Sequence, residues 1–173
     1  MKNIIILLLM ALSLFGCGSL ARKPKGDLIY CSYSCNGAAG LGRDYCELIA
    51  DVDSVPKVVV VLNEENRFDD PVIKRTYPVD KSVVDSLNRI LAAQKVYQLN
   101  GYRVEEPICG GYSYRIYMEY SSGDKVNAFW YGNKIKDKAI SAYNTIEHFF
   151  TPWRDKARED EKALMDGPVD EEQ

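Results

Sequence analysis

Cysteine side chains have the widest chemical range in this chain, because a thiol can form a disulfide, ligate a metal or carry a lipid. The chain has 173 residues and five cysteines, of which the last four are Cys31, Cys35, Cys46 and Cys109. An even number of cysteines in an exported domain indicates two disulfides. We predict one bridge between Cys35 and Cys46 across a hairpin. The second bridge then joins Cys31 to Cys109, and a Cys31–Cys46 bridge is the nearest alternative.

Zinc is the other chemistry open to these four thiols. Structural zinc sites usually combine two close cysteine pairs, or one such pair with a histidine pair. Here Cys31 and Cys35 form a single loose pair, whereas Cys46 and Cys109 are far apart in the sequence. The spacing therefore favours disulfides, and we predict neither a metal site nor a cofactor.

Catalytic groups are sparse. His148 is the only histidine, and no Gly-x-Ser-x-Gly elbow supplies a nucleophile for it. The paired acids are Glu64-Glu65, Asp69-Asp70 and Glu105-Glu106. Neighbouring side chains on a strand point to opposite faces, so such a pair does not itself form a two-carboxylate site. A hydrolase would have to use acids from separate loops, and this is our third functional hypothesis.

The first sixteen residues have the order of a secretory signal. Lys2 supplies a positive charge, residues 4–15 form an apolar run interrupted only by Ser13, and small residues follow. The run is too short for a spanning helix, which needs roughly 20 apolar residues. We therefore predict that residues 1–16 are a cleaved signal peptide.

The end of this signal resembles the lipobox of bacterial lipoproteins. Leu14 and Gly16 match the aliphatic and small positions before Cys17, while Phe15 is bulkier than usual. The resemblance implies cleavage before Cys17 and lipidation of that residue, which would anchor the chain to a membrane. Gly18, in place of Asp, favours the outer membrane by resemblance to enterobacterial sorting rules. We predict an envelope protein that faces the periplasm.

The pattern after residue 26 predicts an α+β domain with an antiparallel sheet of about four to six strands and two main helices on one face. Strands are predicted at residues 27–35, 44–51, 57–62 and 72–77, a helix from Asp80 to about Gln94, a hairpin at 112–120 and 125–131, and a second helix at 133–150. Pro152 marks a break. The predicted divisions are a lipidated tether at 17–26, the domain at 27–152, a short charged helix at 153–165 and a disordered acidic tail at 166–173.

Aromatic side chains crowd the predicted sheet. A two-residue loop at Ser122-Gly123 would place Arg115 opposite Trp130. In that register Arg115, Tyr117 and Trp130 share the face that the helices leave open. Tyrosine, tryptophan and arginine are enriched at binding surfaces. We predict that these three residues form a surface that binds a protein or a glycan.

Four segments of the chain resemble those of small, uncharacterised lipoproteins of Gram-negative gut-type bacteria. The segments are Tyr33–Gly37, the helix opening at Asp80, Leu99–Tyr102 and Gly111–Tyr114. The resemblance covers roughly residues 27–150. It implies the same order of elements and carries no activity.

The formal net charge of −3 argues against nucleic acid as a partner, since phosphate binding needs a basic face. Our first hypothesis is a non-enzymatic envelope lipoprotein that binds a protein or glycan. The second is an inhibitor of an enzyme that attacks the envelope, with the glycine-rich segment Asn36–Gly42 as its inserting loop.

Overall fold

The computed structural model describes residues 22–37, 43–51, 53–62, 72–106, 111–132 and 135–165. The predicted signal peptide, Cys17, Cys109 and the tail at 166–173 lie outside these ranges. The acidic pairs at 64–65 and 69–70 also lie outside them, as do residues 38–42 of the glycine-rich segment.

One sheet and two helices make up the described part of the chain. The strands are β1 (Leu28–Asn36), β2 (Arg43–Ile49), β3 (Lys57–Leu62), β4 (Ile73–Pro78), β5 (Arg103–Glu105), β6 (Ser113–Tyr120) and β7 (Lys125–Tyr131). The helices are α1 (Lys81–Ala93) and α2 (Asp137–Met165), and a short 3₁₀ helix (Val96–Leu99) follows α1. The strand order across the sheet is β4-β3-β2-β1-β6-β7-β5.

The α+β class is confirmed, but the sheet is larger than predicted and is mixed rather than purely antiparallel. β5 adds a seventh strand at one edge and runs parallel to β7. The chain reaches this edge through Gly101, whose φ of 76° is in the left-handed region that glycine tolerates. The N–H of Gly101 donates to the carbonyl of Asn127 at 2.9 Å. A strand of three residues is too short to show an alternating pattern, so β5 could not be predicted from sequence.

The helices cover one face of the sheet. Alternate side chains of each strand point to that face, as the two-residue period of a strand requires. They join the buried side chains of both helices in one hydrophobic cluster, which includes Leu48, Val60, Ile116, Leu87, Ile146 and Phe150. Val59 is also buried but lies outside this cluster, because it points to the opposite face. We call that opposite side the open face.

The turn between β6 and β7 contains three residues, Ser121 to Gly123, and not the predicted two. Tyr120 donates its N–H to the carbonyl of Asp124 at 3.0 Å, and Gly123 donates to the carbonyl of Tyr120 at 2.8 Å. Gly123 has a φ of +83°. Three-residue hairpin loops favour glycine at this left-handed position. We call this segment the hairpin turn.

The extra turn residue shifts the pairing of β6 and β7 by one position. Arg115 pairs with Phe129, whereas Tyr114 pairs with Trp130. A one-residue shift moves every side chain of a strand to the other face. Trp130 therefore lies on the helix-covered face together with Tyr114, and Phe129 lies on the open face.

The N-terminal segment at residues 22–27 runs along the hairpin turn. The N–H of Lys25 donates to Oδ2 of Asp124 at 2.8 Å, and this bond lowers the pKa of the Asp124 carboxyl. The N–H of Asp27 donates to Oγ of Ser121 at 2.9 Å, and the N–H of Ser121 donates to the carbonyl of Asp27 at 2.8 Å. The described part of the tether is thus attached to the domain.

Helix α2 continues through Pro152, where we predicted a break. Proline removes one backbone hydrogen bond and is unfavourable inside a helix. The helix persists because side chains on both sides of the proline are buried. Phe150 and Ala157 are fully buried, and the rings of Phe150 and Trp153 are 6.2 Å apart.

Replacement of Pro152 by alanine restores this hydrogen bond at an exposed position. We expect the free energy of unfolding of P152A to rise by about 1–3 kcal/mol, because proline is about 3 kcal/mol worse than alanine inside a helix. Urea unfolding monitored by circular dichroism measures this free energy of unfolding. The control E159A changes an exposed residue of the same helix and should shift stability by less than about 0.5 kcal/mol. Unchanged or lower stability of P152A would contradict the expectation that the proline destabilises this helix.

Candidate functional site

The structure places two of the three predicted surface residues on the open face. Arg115 is exposed there, and Tyr117 is half-buried beside it. Trp130 is only 1% exposed and lies on the helix-covered face. Its assignment to the surface is wrong, because the hairpin turn has one residue more than predicted.

Two tyrosines and a carboxylate of the open face form a hydrogen-bonded network. The hydroxyl of Tyr30 donates to Oε2 of Glu47 at 2.6 Å, and the hydroxyl of Tyr45 donates to the same oxygen. The two hydroxyl oxygens are 2.5 Å apart. Burial, and then the hydrogen bond to Glu47, raises the pKa of both phenols. Both are therefore neutral donors at physiological pH.

A second network lies beside the first. The hydroxyl of Tyr117 donates to Oε1 of Glu119, and Nζ of Lys125 is 2.8 Å from the same oxygen. Lys125, and then Tyr117, lowers the pKa of the Glu119 carboxyl. The rings of Tyr30 and Tyr117 meet edge to face with centroids 5.9 Å apart. We call the joined networks, with Tyr30, Tyr45, Glu47, Tyr117 and Glu119, the tyrosine cluster.

The open face carries more basic than acidic side chains at its described strand positions. The basic residues are Lys57, Lys74, Arg103, Arg115 and Lys125, and the acidic residues are Glu47, Glu105 and Glu119. Two of these acids already accept hydrogen bonds from tyrosines. The third, Glu105, is paired with Arg103, whose guanidinium also lies 5.3 Å from the ring centroid of Phe129. Lys57 and Lys74 remain exposed to solvent.

Trp130 lies instead in a cleft of about 370 Å³ between the sheet and the first turns of α2. Its lining includes Cys35, Tyr112, Tyr114, Trp130, Tyr143 and Glu147. Strands β1, β6 and β7 contribute Cys35, Tyr114 and Trp130, and Tyr112 directly precedes β6. Helix α2 contributes Tyr143 and Glu147. We call it the aromatic cleft.

An ion-pair network links α2 to the sheet beside the aromatic cleft. The guanidinium of Arg154, whose side chain is 13% exposed, pairs with the carboxylate of Asp44 in β2. It also pairs with Glu147, where Nη1 of Arg154 lies 3.1 Å from Oε1 of Glu147. Two carboxylates share one guanidinium, so the network carries a net negative charge. Sequence analysis missed it, because Arg154 follows Pro152, where we predicted that the helix ends.

The thiols of Cys31, Cys35 and Cys46 are free. The predicted Cys35–Cys46 bridge is therefore wrong, as is the nearest alternative, Cys31–Cys46. The predicted Cys31–Cys109 bridge stays a prediction. β1 and β2 do form the predicted hairpin pair, but Cys46 lies opposite Tyr33. Cys46 is thus diagonal to both Cys31 and Cys35. Diagonal residues are about 7–8 Å apart, whereas a disulfide requires Cα atoms within about 6.8 Å. Cys109 itself lies outside the described residues.

Of the side chains considered for catalysis, His148, Glu105 and Glu106 lie within the described residues. His148 is exposed on α2 and lines a groove toward α1. Three other carboxylates, those of Asp27, Asp51 and Asp85, line a cavity of about 290 Å³ near the hairpin turn. A hydrolase would have to act in such a cavity, although none of these acids belongs to a predicted pair. Within the described ranges, no three His, Cys, Asp or Glu side chains are placed to hold a metal ion.

The sequence was compared with protein-family models and with curated proteins. No protein-family model matches this chain, and no curated protein matches its sequence. The resemblance to small uncharacterised lipoproteins therefore stays a prediction.

The structure predicts different reactivities for the three described thiols. Cys31 and Cys46 are fully buried, and burial raises the pKa of each to about 12. Cys35 is half-buried at the aromatic cleft, and burial raises its pKa as well. Because the thiolate is the nucleophile, we expect iodoacetamide at pH 8 to label Cys35 slowly and to leave Cys31 and Cys46 unmodified. All three should react in urea.

Peptide mapping by mass spectrometry under non-reducing conditions measures this labelling. A Cys35–Cys46 bridged peptide, or rapid native labelling of Cys31, would contradict the structure.

Proposed function

We propose that this protein is a lipid-anchored, non-enzymatic module of the bacterial envelope that binds an acidic surface on a protein partner through its open face. The tyrosine cluster is the observation that carries this proposal. Its hydroxyls hold Glu47 and Glu119 in fixed positions, so the rings of Tyr30 and Tyr117 are ordered before a partner arrives. Ordered aromatic side chains lose little entropy on binding, which makes them good anchors in interfaces.

The size and charge of the open face support a protein as the occupant. Seven strands at a spacing of about 4.8 Å span roughly 30 Å, and their length adds roughly 20 Å in the other direction. This is the scale of the about 800 Å² that one partner contributes to a standard protein interface. The exposed Lys57, Lys74 and Arg115 favour an acidic partner, since complementary charge speeds association and excludes wrong partners.

The anchor would present this face to the periplasm. Four residues lie between Cys17 and Arg22, where the described chain begins, so the five steps from Cys17 to Arg22 span at most about 18 Å. Because residues 22–27 are attached to the hairpin turn, a lipid on Cys17 would keep that turn near the membrane. The strands would then lead away from the bilayer, with the open face accessible from the side. Neither described helix has the length and apolar character of a membrane span.

The other two hypotheses lack an observation of this kind. The inhibitor hypothesis depends on a loop of which residues 38–42 lie outside the described ranges. The hydrolase hypothesis has carboxylates in one cavity, but one of them, Asp85, is paired with Lys81 at 3.4 Å. Both stay alternatives.

Photo-cross-linking in the native envelope tests the proposal. A photoreactive amino acid at position 115 should give a discrete product with one protein, whereas the same probe at Leu164, an exposed residue of α2, should not. The charge reversals K57E and K74E should lower the yield of this product about threefold to tenfold, since each removes attraction to an acidic partner. The matched control K162E reverses a lysine of α2 and should leave the yield unchanged.

Equal yields from positions 115 and 164, or no effect of K57E and K74E, would overturn the binding proposal. The variant C17A separates this outcome from the anchor. We expect C17A to stay unlipidated and to leave the membrane fraction. If C17A remained in the membrane fraction, the anchor assignment would be wrong, while the cross-linking result would still decide the role of the open face.

A further inference from the structure

We propose that the aromatic cleft binds an organic cation, with the ammonium group of the ligand against the tyrosine rings and close to Glu147. The cleft lies on the helix-covered side of the sheet, so this site is separate from the open face. The proposal does not depend on the function that we propose for the tyrosine cluster.

Rings from the sheet and from α2 form perpendicular walls of the cleft. Tyr114 and Trp130 are paired across β6 and β7 and stack at 5.8 Å with an angle of 17° between their planes. Tyr143 of α2 stands across both of them, at 78° to Tyr114 with centroids 4.9 Å apart and at 85° to Trp130. The face of an aromatic ring is negative. A cation held against the face of one of these tyrosine rings is therefore attracted to it.

Tyr112 leaves the cleft accessible to a ligand. Its ring is 6.4 Å from that of Tyr114, and its side chain is 55% exposed. The volume of about 370 Å³ falls in the range of about 300–1,000 Å³ that is usual for small-molecule sites. The cleft is therefore large enough for an ammonium group with its substituents.

Charge selects a cation over an anion. Glu147 lines the cleft and shares Arg154 with Asp44, so this group of three has one negative charge left over. No described lining residue is basic. Burial raises the pKa of Tyr114 and of Tyr143, so both phenols stay neutral and do not add charge.

The apolar part of the lining selects an alkylated ammonium over a small inorganic ion. Ile135 and Ile140 also line the cleft. A compact ion such as K⁺ would lose its hydration shell there without gaining oxygen ligands, and burial of an unsolvated charge is costly. A methylated ammonium is weakly hydrated and covers apolar surface as well.

A pair of isosteric probes tests this inference. Choline carries a trimethylammonium group, and 3,3-dimethylbutan-1-ol has the same shape without the charge. Titration calorimetry on the full-length chain in dodecyl maltoside should show saturable choline binding, with the neutral alcohol weaker by about tenfold or more. Nα-acetyl-lysine amide forms a third arm, which tests the primary amine of a polypeptide side chain as the source of the cation. Preference for either cation over the alcohol supports the proposal.

Variants of residues that line the cleft test whether an aromatic ring and a negative charge contribute to choline binding. Y112L should weaken choline binding about fivefold, whereas Y112F keeps the ring and should bind within about twofold of the wild type. E147Q keeps a hydrogen-bond acceptor for Arg154 but removes the charge, and it should also weaken binding about fivefold. Y117L changes a tyrosine of the open face and is the matched control. In a W153F background, Trp130 is the only tryptophan and its fluorescence should change with choline.

Equal affinity for choline and the alcohol would show an apolar pocket and overturn the proposal. Absence of saturable binding by either cation in the wild-type chain would overturn it as well. An equal loss of choline binding in Y112L and in Y117L would also count against it, because a general effect on the fold would then explain the change.

Discussion

The backbone of the hairpin turn determines which side chains of the last hairpin reach the core. Gly123 adopts a left-handed conformation, and the three-residue loop that contains it sets the pairing of β6 with β7. A shift of one residue would bring Trp130 to the open face and Phe129 under the helices. The stacking of Trp130 on Tyr114 and the contact of Arg103 with Phe129 would then both be lost. The two surfaces to which we assign binding therefore depend on one local constraint.

The same turn connects the domain to its N-terminal segment. Ser121 and Asp124 hydrogen-bond with residues 25–27, so the point of attachment is at one end of the hairpin. The aromatic cleft is at the other end, where β6 begins and β7 finishes. If Cys17 carries a lipid, the cleft faces away from the membrane. This arrangement would leave both the cleft and the open face accessible to ligands from the periplasm.

Much of the fold could be predicted from sequence, because its signals are local. Strand-forming side chains without a helical period located β1 to β4 and the last hairpin, and a 3.6-residue period located α1 close to its observed bounds. The length of the hairpin loop is not determined by such a local signal, since the segment Ser121 to Asp124 is compatible with either a two-residue or a three-residue turn. That ambiguity alone misplaced Trp130. The disulfide prediction failed for a related reason, because a pairing of the correct strands does not decide which residues lie opposite each other.

The other differences between the predicted and the observed structure arise from tertiary contacts. Helix α2 passes Pro152 because Ala157 and Trp153 pack on the core, which outweighs an unfavourable residue. Arg154 then reaches Asp44, a residue 110 positions away in the sequence, and no local pattern reveals such a pair. The tyrosine cluster likewise unites residues of β1, β2 and β6. Sequence analysis identified Tyr117 but missed Tyr30, Tyr45 and Glu47, because their hydrogen bonds depend on how the strands align.

The register of β6 and β7 determines which side chains reach each face of the sheet, and nuclear Overhauser contacts between backbone protons measure it. We expect cross-strand contacts between Arg115 and Phe129 and between Tyr117 and Asn127. Contacts between Arg115 and Trp130 would instead indicate a two-residue turn. Both binding sites would then be wrong, because Trp130 would leave the aromatic cleft and the composition of both faces would change.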